Sequence, residues 1–297
     1  MNKNGSILVN ILKIIRPHQW VKNILVFVPM LMSHNFELDI FIISIYAFII
    51  FSLVASSIYV INDIVDIKSD QIHQFKRYRP LAAGLLNKNQ CKYLIGVLLI
   101  ICAFLLVKVN KDFLVLIFTY FLISNLYTFV FKKYPFIDLV ILTSLFTMRI
   151  IGGGLITDIS VSIWLLSFSI FFFLSLAAIK RQIEIVNTKK IKKKNIAGRG
   201  YIVEDYKTIS IIAVSAGYIS ILILVLYINS SQVLNLYSFP HVLWGISVVM
   251  LFWISRLILN SSKGKIKDDP VAYAIKDKIS YLCLFLILCI MLLGNII

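Results

Sequence analysis

In the first third of the 297-residue chain, four side chains have the types and spacing to hold a metal-bound anion: Asn62, Asp63, Asp66 and Asp70, within Tyr59-Val-Ile-Asn-Asp-Ile-Val-Asp-Ile-Lys-Ser-Asp70. On one continuous helix, intervals of three and four residues line the three carboxylates along one face. Like charges so placed repel by roughly a few tenths of a kcal/mol per pair even when exposed. Beside a bilayer the cost rises, so a positive group is expected between them. Mg²⁺ suits the position, because it is a hard ion held by one or two carboxylates together with substrate phosphates. Asp63, Asp66 and Asp70 are therefore the expected metal ligands and catalytic centre, with Asn62 beside them as a substrate contact. Just downstream, His73, Lys76, Arg77 and Arg79, followed by Pro80 and Gly84, supply donors for phosphate oxygens. A metal-bound diphosphate is the expected ligand. The bland alternative is an interfacial helix with solvated charges, which does not account for so ordered an array.

The elements that must position these residues are membrane helices. Hydrophobic residues make up 60% of the chain and charged ones 15%, and the apolar residues fall in runs of about 20, the length that crosses a bilayer as a helix. Nine runs are predicted, at 18-35, 38-61, 91-109, 113-131, 136-156, 161-180, 208-229, 239-259 and 278-297. A β-barrel is excluded, because stretches such as Ile211 to Ile228 and Leu282 to Leu293 are apolar on every side instead of alternating. The first run follows a polar start, Met1 to Asn4, without a small-residue cleavage site, and reads as a retained helix. The expectation is an all-α polytopic protein, residues 1-297 forming one transmembrane domain. Cys91, Cys102, Cys283 and Cys289 lie in or beside apolar runs without metal-ligand spacing and read as packing residues.

The net charge of +16 raises nucleic acid as a partner, but its distribution argues otherwise. With nine spans, 27 of the 30 Lys and Arg residues fall before or at the start of the first span or in alternate loops. The opposite loops hold only Lys108 and Lys111, and Arg149 lies inside a span. The positive-inside rule puts the N-terminus and the loop bearing Asp63 to Arg79 in the cytoplasm. The run Lys189 to Lys194, interrupted only by Ile191, reads as a topology determinant against anionic lipid.

Further candidates carry a structural reading beside the functional one. A cation at the centre of a span, as Arg149 is, costs at least about 2.5 kcal/mol on insertion scales, so an anionic partner is expected, either a buried pair or substrate phosphate. Asp138 lies three helical turns earlier on nearly the same face, roughly 16 Å away along the axis, too far to pair directly. It too is a substrate-binding candidate. Lys180, Arg181 and Glu184 end the sixth run and are read as substrate contacts, with snorkelling at the interface as the alternative. Lys22, near Arg16 and Trp20, is a further candidate, though the same composition suits a membrane anchor. Asp268, Asp269 and Asp277 lie in a stretch that resembles the C-terminal acidic segment of a known transferase family, which implies ribose or metal contacts; the alternative is a solvated turn. Gly152-Gly153-Gly154 reads as a close-packing segment, because no strand precedes it to make a phosphate loop.

The pattern Asn62-Asp63-x-x-Asp66-x-x-x-Asp70, followed by Lys76-Arg77-x-Arg79-Pro80-Leu-Ala-Ala-Gly84, resembles the first aspartate-rich motif of the UbiA superfamily of intramembrane prenyltransferases. Arg16-Pro-His-Gln-Trp20-Val-Lys22-Asn23, Asp138 with Arg149 and Gly152 to Gly154, and Lys180-Arg181-x-x-Glu184 resemble the decaprenyl-phosphate phosphoribosyltransferase branch in particular. The resemblance implies a helical bundle with a cytoplasm-facing central cavity, in a membrane that is expected to be the bacterial inner membrane. It also implies a departure: ordinary members carry a second aspartate-rich motif after the sixth span, where this chain has Lys180, Arg181 and Glu184. Cations there suit a donor with an extra phosphate. The implied reaction is Mg²⁺-dependent transfer of 5-phosphoribose from phosphoribosyl diphosphate to a polyprenyl phosphate. The rival within the family attaches a polyprenyl diphosphate chain to an aromatic acceptor, and would want acidic residues at positions 180 and 181. A transporter would scatter charges through several spans, and a phosphatidyltransferase would carry an Asp-Gly-x-x-Ala-Arg signature that is absent here.

Overall fold

A computed structural model describes residues 7–72, 76–267 and 269–296. Among them the only β-pairing is an isolated bridge between Asn195 and Ile202. The α-helices are α1 (Ile7–Ile15), α2 (Val28–Met32), α3 (Leu38–Val65), α4 (Ile67–Ile72), α5 (Lys88–Leu106), α6 (Lys111–Phe129) and α7 (Ile137–Thr157), then α8 (Ile163–Lys190), α9 (Tyr206–Ile228), α10 (Ser231–Leu236), α11 (Trp244–Ser262), α12 (Pro270–Ala274) and α13 (Lys278–Ile296). Seven stretches among the described residues are helical, long and apolar enough to cross a bilayer, beginning at Leu38, Lys88, Lys111, Ile137, Ile163, Val203 and Pro240. Lys278–Gly294 is a shorter apolar helix. This is an integral membrane protein. The chain divides into two compact units, Met1–Lys132 with Met148–Val161, and Lys133–Thr147 with Ser162–Ile297.

In the first unit α3 is the hub, packed against α1, α5 and α6. The predicted first span departs from a regular α-helix: Pro17–Phe27 winds as a 3₁₀-helix before α2. Polar rungs on α3 explain the stretching. The Arg16 guanidinium reaches Asp63, Trp20 Nε1 donates to Ser56 Oγ at 2.9 Å, and Asn23 Nδ2 donates to Ser52 Oγ at 3.0 Å. The α3 anchors are 11 residues apart, about 16 Å of α-helix, whereas their partners are 7 apart. Seven residues rise about 14 Å as a 3₁₀-helix and only about 10 Å as an α-helix. The 3₁₀ form keeps all three rungs in register.

Gly153 explains why the glycine run packs closely. A Cβ there would sit 2.0 Å from the carbonyl oxygen of Val26, on that same 3₁₀ segment. Gly153→Ala is expected to destabilise the solubilised protein by about 1–3 kcal/mol, the usual cost of forcing an extra carbon into a packed site. Gly96→Ala, with nothing within 4 Å of its new Cβ, should leave the melting temperature unchanged.

In the second unit α8 packs on α9, and α11 on α8, α9 and α13. The sixth span was expected to end near residue 180, yet α8 continues to Lys190. The reason is burial, since Arg181, Gln182, Ile183 and Ile185 are all enclosed. Gln182 ties three helices together: its Nε2 donates to Ser210 Oγ on α9 at 2.9 Å, and its Oε1 accepts from Ser261 on α11. Cys91, Cys102 and Cys283 are free and buried and Cys289 is free and half-buried, in keeping with packing roles.

Candidate active site

The three aspartates of the first unit are not on one unbroken helix. α3 stops at Val65, and Asp66 adopts φ −91° and ψ 6° while its N–H still donates to the Asn62 carbonyl at 2.9 Å. The chain restarts as α4, which carries Asp70. Cations bring the carboxylates together across this break. Arg79 NH1 donates to Asp63 Oδ1 at 3.1 Å and to Asp70 Oδ2 at 2.6 Å, so one guanidinium bridges both. Arg16 donates to the same Asp63 oxygen. Lys132 Nζ donates to Asp66 Oδ1 at 2.6 Å and reaches Asn62 Oδ1 at 3.5 Å. Asp63 and Asp70 are buried, and Asp66 is partly open.

Three carboxylates thus face three cations, and among the described residues the buried Asp63 Oδ2 has no hydrogen-bond partner. A bare buried carboxylate oxygen costs free energy unless something positive reaches it. Among the described residues no three Asp, Glu, His or Cys side chains converge as a ready metal nest. The donor set fits Mg²⁺ in its commoner mode, one or two carboxylates completed by substrate phosphate oxygens and water.

The other expected contacts divide. Lys76 is half-buried, and Arg77 is exposed and turns outward, its NH2 donating to Tyr78 Oη at 2.7 Å. Lys22 sits half-buried on the 3₁₀ segment. His73 lies outside the described residues. Arg16 and Lys132, which sequence reasoning passed over as site residues, sit directly on the aspartates. Arg16 adopts φ 54° ahead of Pro17, a left-handed conformation uncommon for any residue but glycine, and its bond to Asp63 helps hold it there. Arg149 is buried on α7 as expected, but its partners include neutral groups: Nε donates to Asn23 Oδ1 at 2.8 Å, NH2 donates to Tyr120 Oη at 2.7 Å, and its guanidinium carbon lies 5.0 Å from the centre of that ring.

The second unit holds another ionic cluster. Arg181 was expected to face substrate; instead it is fully enclosed, with Nε on Asp138 Oδ2 and NH1 on Glu184 Oε2, both at 2.5 Å. Asp138, also expected to face substrate, is equally enclosed, because Tyr201 Oη donates to its second oxygen at 2.5 Å. Tyr201 accepts in turn from the Phe136 N–H at 2.8 Å. Burial, reinforced by the bond to Asp138, pushes the Tyr201 phenol well above its ordinary pKa. Lys180 and Glu184 stay partly open, Lys180 lying 3.6 Å from Asp269 and Glu184 lying 3.6 Å from Arg199.

Asp268 lies outside the described residues. Asp269 caps α12, accepting from the Val271 N–H at 2.9 Å. Asp277 is a structural anchor: both its oxygens accept from Arg256, at 2.7 and 2.9 Å, and Ser280 N–H donates to it as well. The Arg256 guanidinium holds its carboxyl down from the ordinary 3.8 to about 2. A depressed carboxyl pKa stabilises the folded state above the ordinary value, and that contribution is lost as pH falls through the folded value. Asp277→Asn should therefore lower the melting temperature at pH 7 and flatten its dependence between about pH 4 and pH 2, which pH-resolved melting curves will read.

A sequence model described as the UbiA prenyltransferase family matches residues 23–273. The chain belongs to that family. Three relatives bear on its placement within the UbiA group. Nodulation protein NoeC of Azorhizobium caulinodans is 33% identical over 91% of this chain and 88% of its own length. Uncharacterized protein y4nM of Sinorhizobium fredii is 31% identical over 90% of this chain and 52% of its own. Decaprenyl-phosphate phosphoribosyltransferase of Mycolicibacterium smegmatis is 33% identical over 61% of this chain and 58% of its own. The chain thus spans little more than half the length of two of these relatives. Among solved structures, a UbiA homolog from Archaeoglobus fulgidus bound to DMAPP and Mg²⁺ superposes with a TM-score of 0.68 at 14% identity, covering 95% of this chain and 98% of that one. A structure described for digeranylgeranylglyceryl phosphate synthase gives 0.65 at 21% identity over 99% of both chains. At these identities the likeness shows the UbiA fold. Within the chain, the UbiA match takes in Asp63, Asp66, Asp70, Arg79 and Lys132 and begins just after Arg16.

Proposed function

We propose that this UbiA-family chain transfers 5-phosphoribose from phosphoribosyl diphosphate to a polyprenyl phosphate, with the Asp63, Asp66 and Asp70 cluster holding the Mg²⁺-bound diphosphate. The observation that carries the choice of substrate is the stretch Lys180, Arg181 and Glu184, standing where the resemblance implies a second aspartate-rich motif. Without an aspartate-rich run at that place in the sequence, a second metal lacks the holder that the resemblance would supply. A relative named for phosphoribosyl transfer supports the same reading.

Asp63 and Asp66, with Asp70 beside them, would hold the ion, and Mg²⁺ when bound supplies charge to the departing diphosphate. Arg16, Arg79 and Lys132 neutralise these carboxylates and turn their donors to diphosphate oxygens as the ligand arrives. The bond from the anomeric C1 to the diphosphate oxygen breaks with its electron pair leaving on diphosphate. A bond from a lipid phosphate oxygen to C1 forms. That oxygen is already ionised near neutral pH, so no protein base is required, and the contribution of the chain is alignment and charge neutralisation. The distribution of Lys and Arg supports a site facing the cytoplasm of a bacterial inner membrane, and the nine predicted runs support about nine spans.

Titration calorimetry on detergent-solubilised protein tests the donor. Phosphoribosyl diphosphate should bind in the presence of Mg²⁺ and release on chelation. Failure to bind it, together with turnover of a prenyl diphosphate onto an aromatic acceptor, would establish the conventional prenyltransferase instead.

A further inference from the structure

Two lysine-bearing stretches of the second unit are held side by side where their helices end. Lys189 and Lys190 end α8 and Lys192 to Lys194 follow it, while Lys263, Lys265 and Lys267 follow α11, and all eight are exposed. Neither stretch is a loose tail. Past α8 the Ile191 N–H donates to the Thr188 carbonyl at 3.2 Å, and the Lys192 N–H to the Lys189 carbonyl at 3.0 Å. Past α11 the Lys265 N–H donates to the Asn260 carbonyl at 3.0 Å across Gly264, whose φ of +65° is the left-handed turn in which helices commonly end. Ile266, 1% exposed, anchors that segment from inside and leaves its neighbours Lys265 and Lys267 outside. Two hydrogen bonds join the stretches: Asn187 Nδ2 donates to the Lys267 carbonyl at 3.0 Å, and Lys190 Nζ to the Gly264 carbonyl at 3.2 Å.

Gathering like charges in this way calls for counter-charge, and the chain supplies little. Residues 185–205 and 260–269 hold eight lysines and one arginine against four acids. Of those acids, Asp205 accepts from the Ile202 N–H at 2.9 Å, and Asp269 is buried as the cap of α12. Among the described residues the ion pair these lysines make is Lys194 with Glu204, 3.9 Å long and exposed on both sides. Helix lengths show what lies beside the patch. The 28 residues of α8 rise about 42 Å, about the thickness of a bilayer with its headgroup regions. The 19 residues of α11 rise about 28 Å, close to the hydrocarbon core alone. Both lengths put the lysines at the level of lipid phosphates. Ile191, 55% exposed among them, adds an apolar contact suited to the headgroup boundary.

We propose that the ends of α8 and α11 together form a binding surface for anionic phospholipid headgroups of the surrounding bilayer. Each lysine beside a negatively charged leaflet adds attraction, and its apolar stem can lie along lipid while the ammonium reaches phosphate. The five lysines at the end of α8 suffice to orient a span. The three after α11, locked against them, turn an orientation signal into a composite surface. This inference goes beyond the transfer reaction and does not rest on it.

Native mass spectrometry of the full detergent-solubilised chain, equilibrated with phosphatidylglycerol or with phosphatidylcholine of the same acyl chains, tests the surface. Phosphatidylglycerol should be retained over phosphatidylcholine, and the preference should weaken as ionic strength rises. Lys263→Gln, Lys265→Gln and Lys267→Gln combined should lower phosphatidylglycerol retention by about tenfold or more, each engaged lysine contributing roughly fivefold. Lys192→Gln with Lys193→Gln should lower it to a similar extent. Lys108→Gln with Lys111→Gln, which removes two charges elsewhere in the chain, should leave it unchanged. Melting curves on each preparation identify any misfolded variant, and either lysine variant of the patch decides if the other fails to fold. The proposal is overturned if the wild-type chain retains both lipids equally, or if either folded variant of the patch retains phosphatidylglycerol as the wild type does. Equal loss in the Lys108, Lys111 variant would overturn it as well, by reducing the effect to net charge.

Discussion

Asp63→Asn should reduce phosphoribosyl transfer by at least about a hundredfold, in line with losses when one preorganised electrostatic contact to a transition state is removed. The substitution keeps shape but removes the charge facing Arg16 and Arg79, and it replaces one carboxylate oxygen with an amide nitrogen that cannot serve a metal. Initial rates with labelled phosphoribosyl diphosphate, taken across a Mg²⁺ titration, will read the effect. The loss should persist at saturating metal, because the ligand itself is gone. A variant with near wild-type rates would remove Asp63, and its bare Oδ2, from the chemistry. The substituted amide would still accept one hydrogen bond from Arg16, so the fold should survive, and a melting curve on the same preparation separates misfolding from lost catalysis.

Arg181→Met should cost about 3–5 kcal/mol of stability, the range found when one partner of a buried ion pair is removed. The cost comes from what stays behind: Asp138 would be fully enclosed with Tyr201 as its remaining hydrogen-bond donor among the contacts described above. Arg181→Lys should rescue little, because Nε and NH1 serve two different carboxylates and a single ammonium cannot reproduce the fork. Adding Asp138→Asn to Arg181→Met should recover part of the loss, since the uncompensated charge is then gone. Thermal unfolding of the three variants measures this. A substrate-contact role predicts the opposite pattern, normal melting with impaired transfer.

The sequence and the fold agree most where the physical signal is strong. Long apolar runs locate α3 and α5 to α9 to within a few residues, apart from the far end of α8, because length and hydropathy alone decide whether a helix can cross lipid. Two departures have identifiable causes. α8 runs ten residues past its expected end because Arg181 and Gln182 find partners inside the unit, and hydropathy counts such residues as interfacial. The first run winds as a 3₁₀-helix because its rungs to α3 are spaced for it, a pairing that only the folded chain displays.

At the site, the aspartates were legible from their spacing, and their cationic partners only in part. Arg79 was readable as a neighbour in sequence. Lys132 is 66 residues from Asp66 and looked like one more charge in a short basic loop. Lys22 was read as a substrate contact and Arg16 was not, because both are cations near Trp20 and only the turn before Pro17 aims Arg16 at Asp63. Arg181 misled for the opposite reason: a cation at a predicted helix end reads as open until its two carboxylates are seen to enclose it.

The central claim is tested most directly by incubating membranes that contain the chain with labelled phosphoribosyl diphosphate and a polyprenyl phosphate, with and without Mg²⁺, and following label into the lipid phase. Label should enter the lipid, and should be lost on chelation and in Asp66→Ala, which breaks the pair with Lys132. Absence of lipid label from the wild-type chain, with prenyl diphosphate consumed in the presence of an aromatic acceptor, would contradict the account.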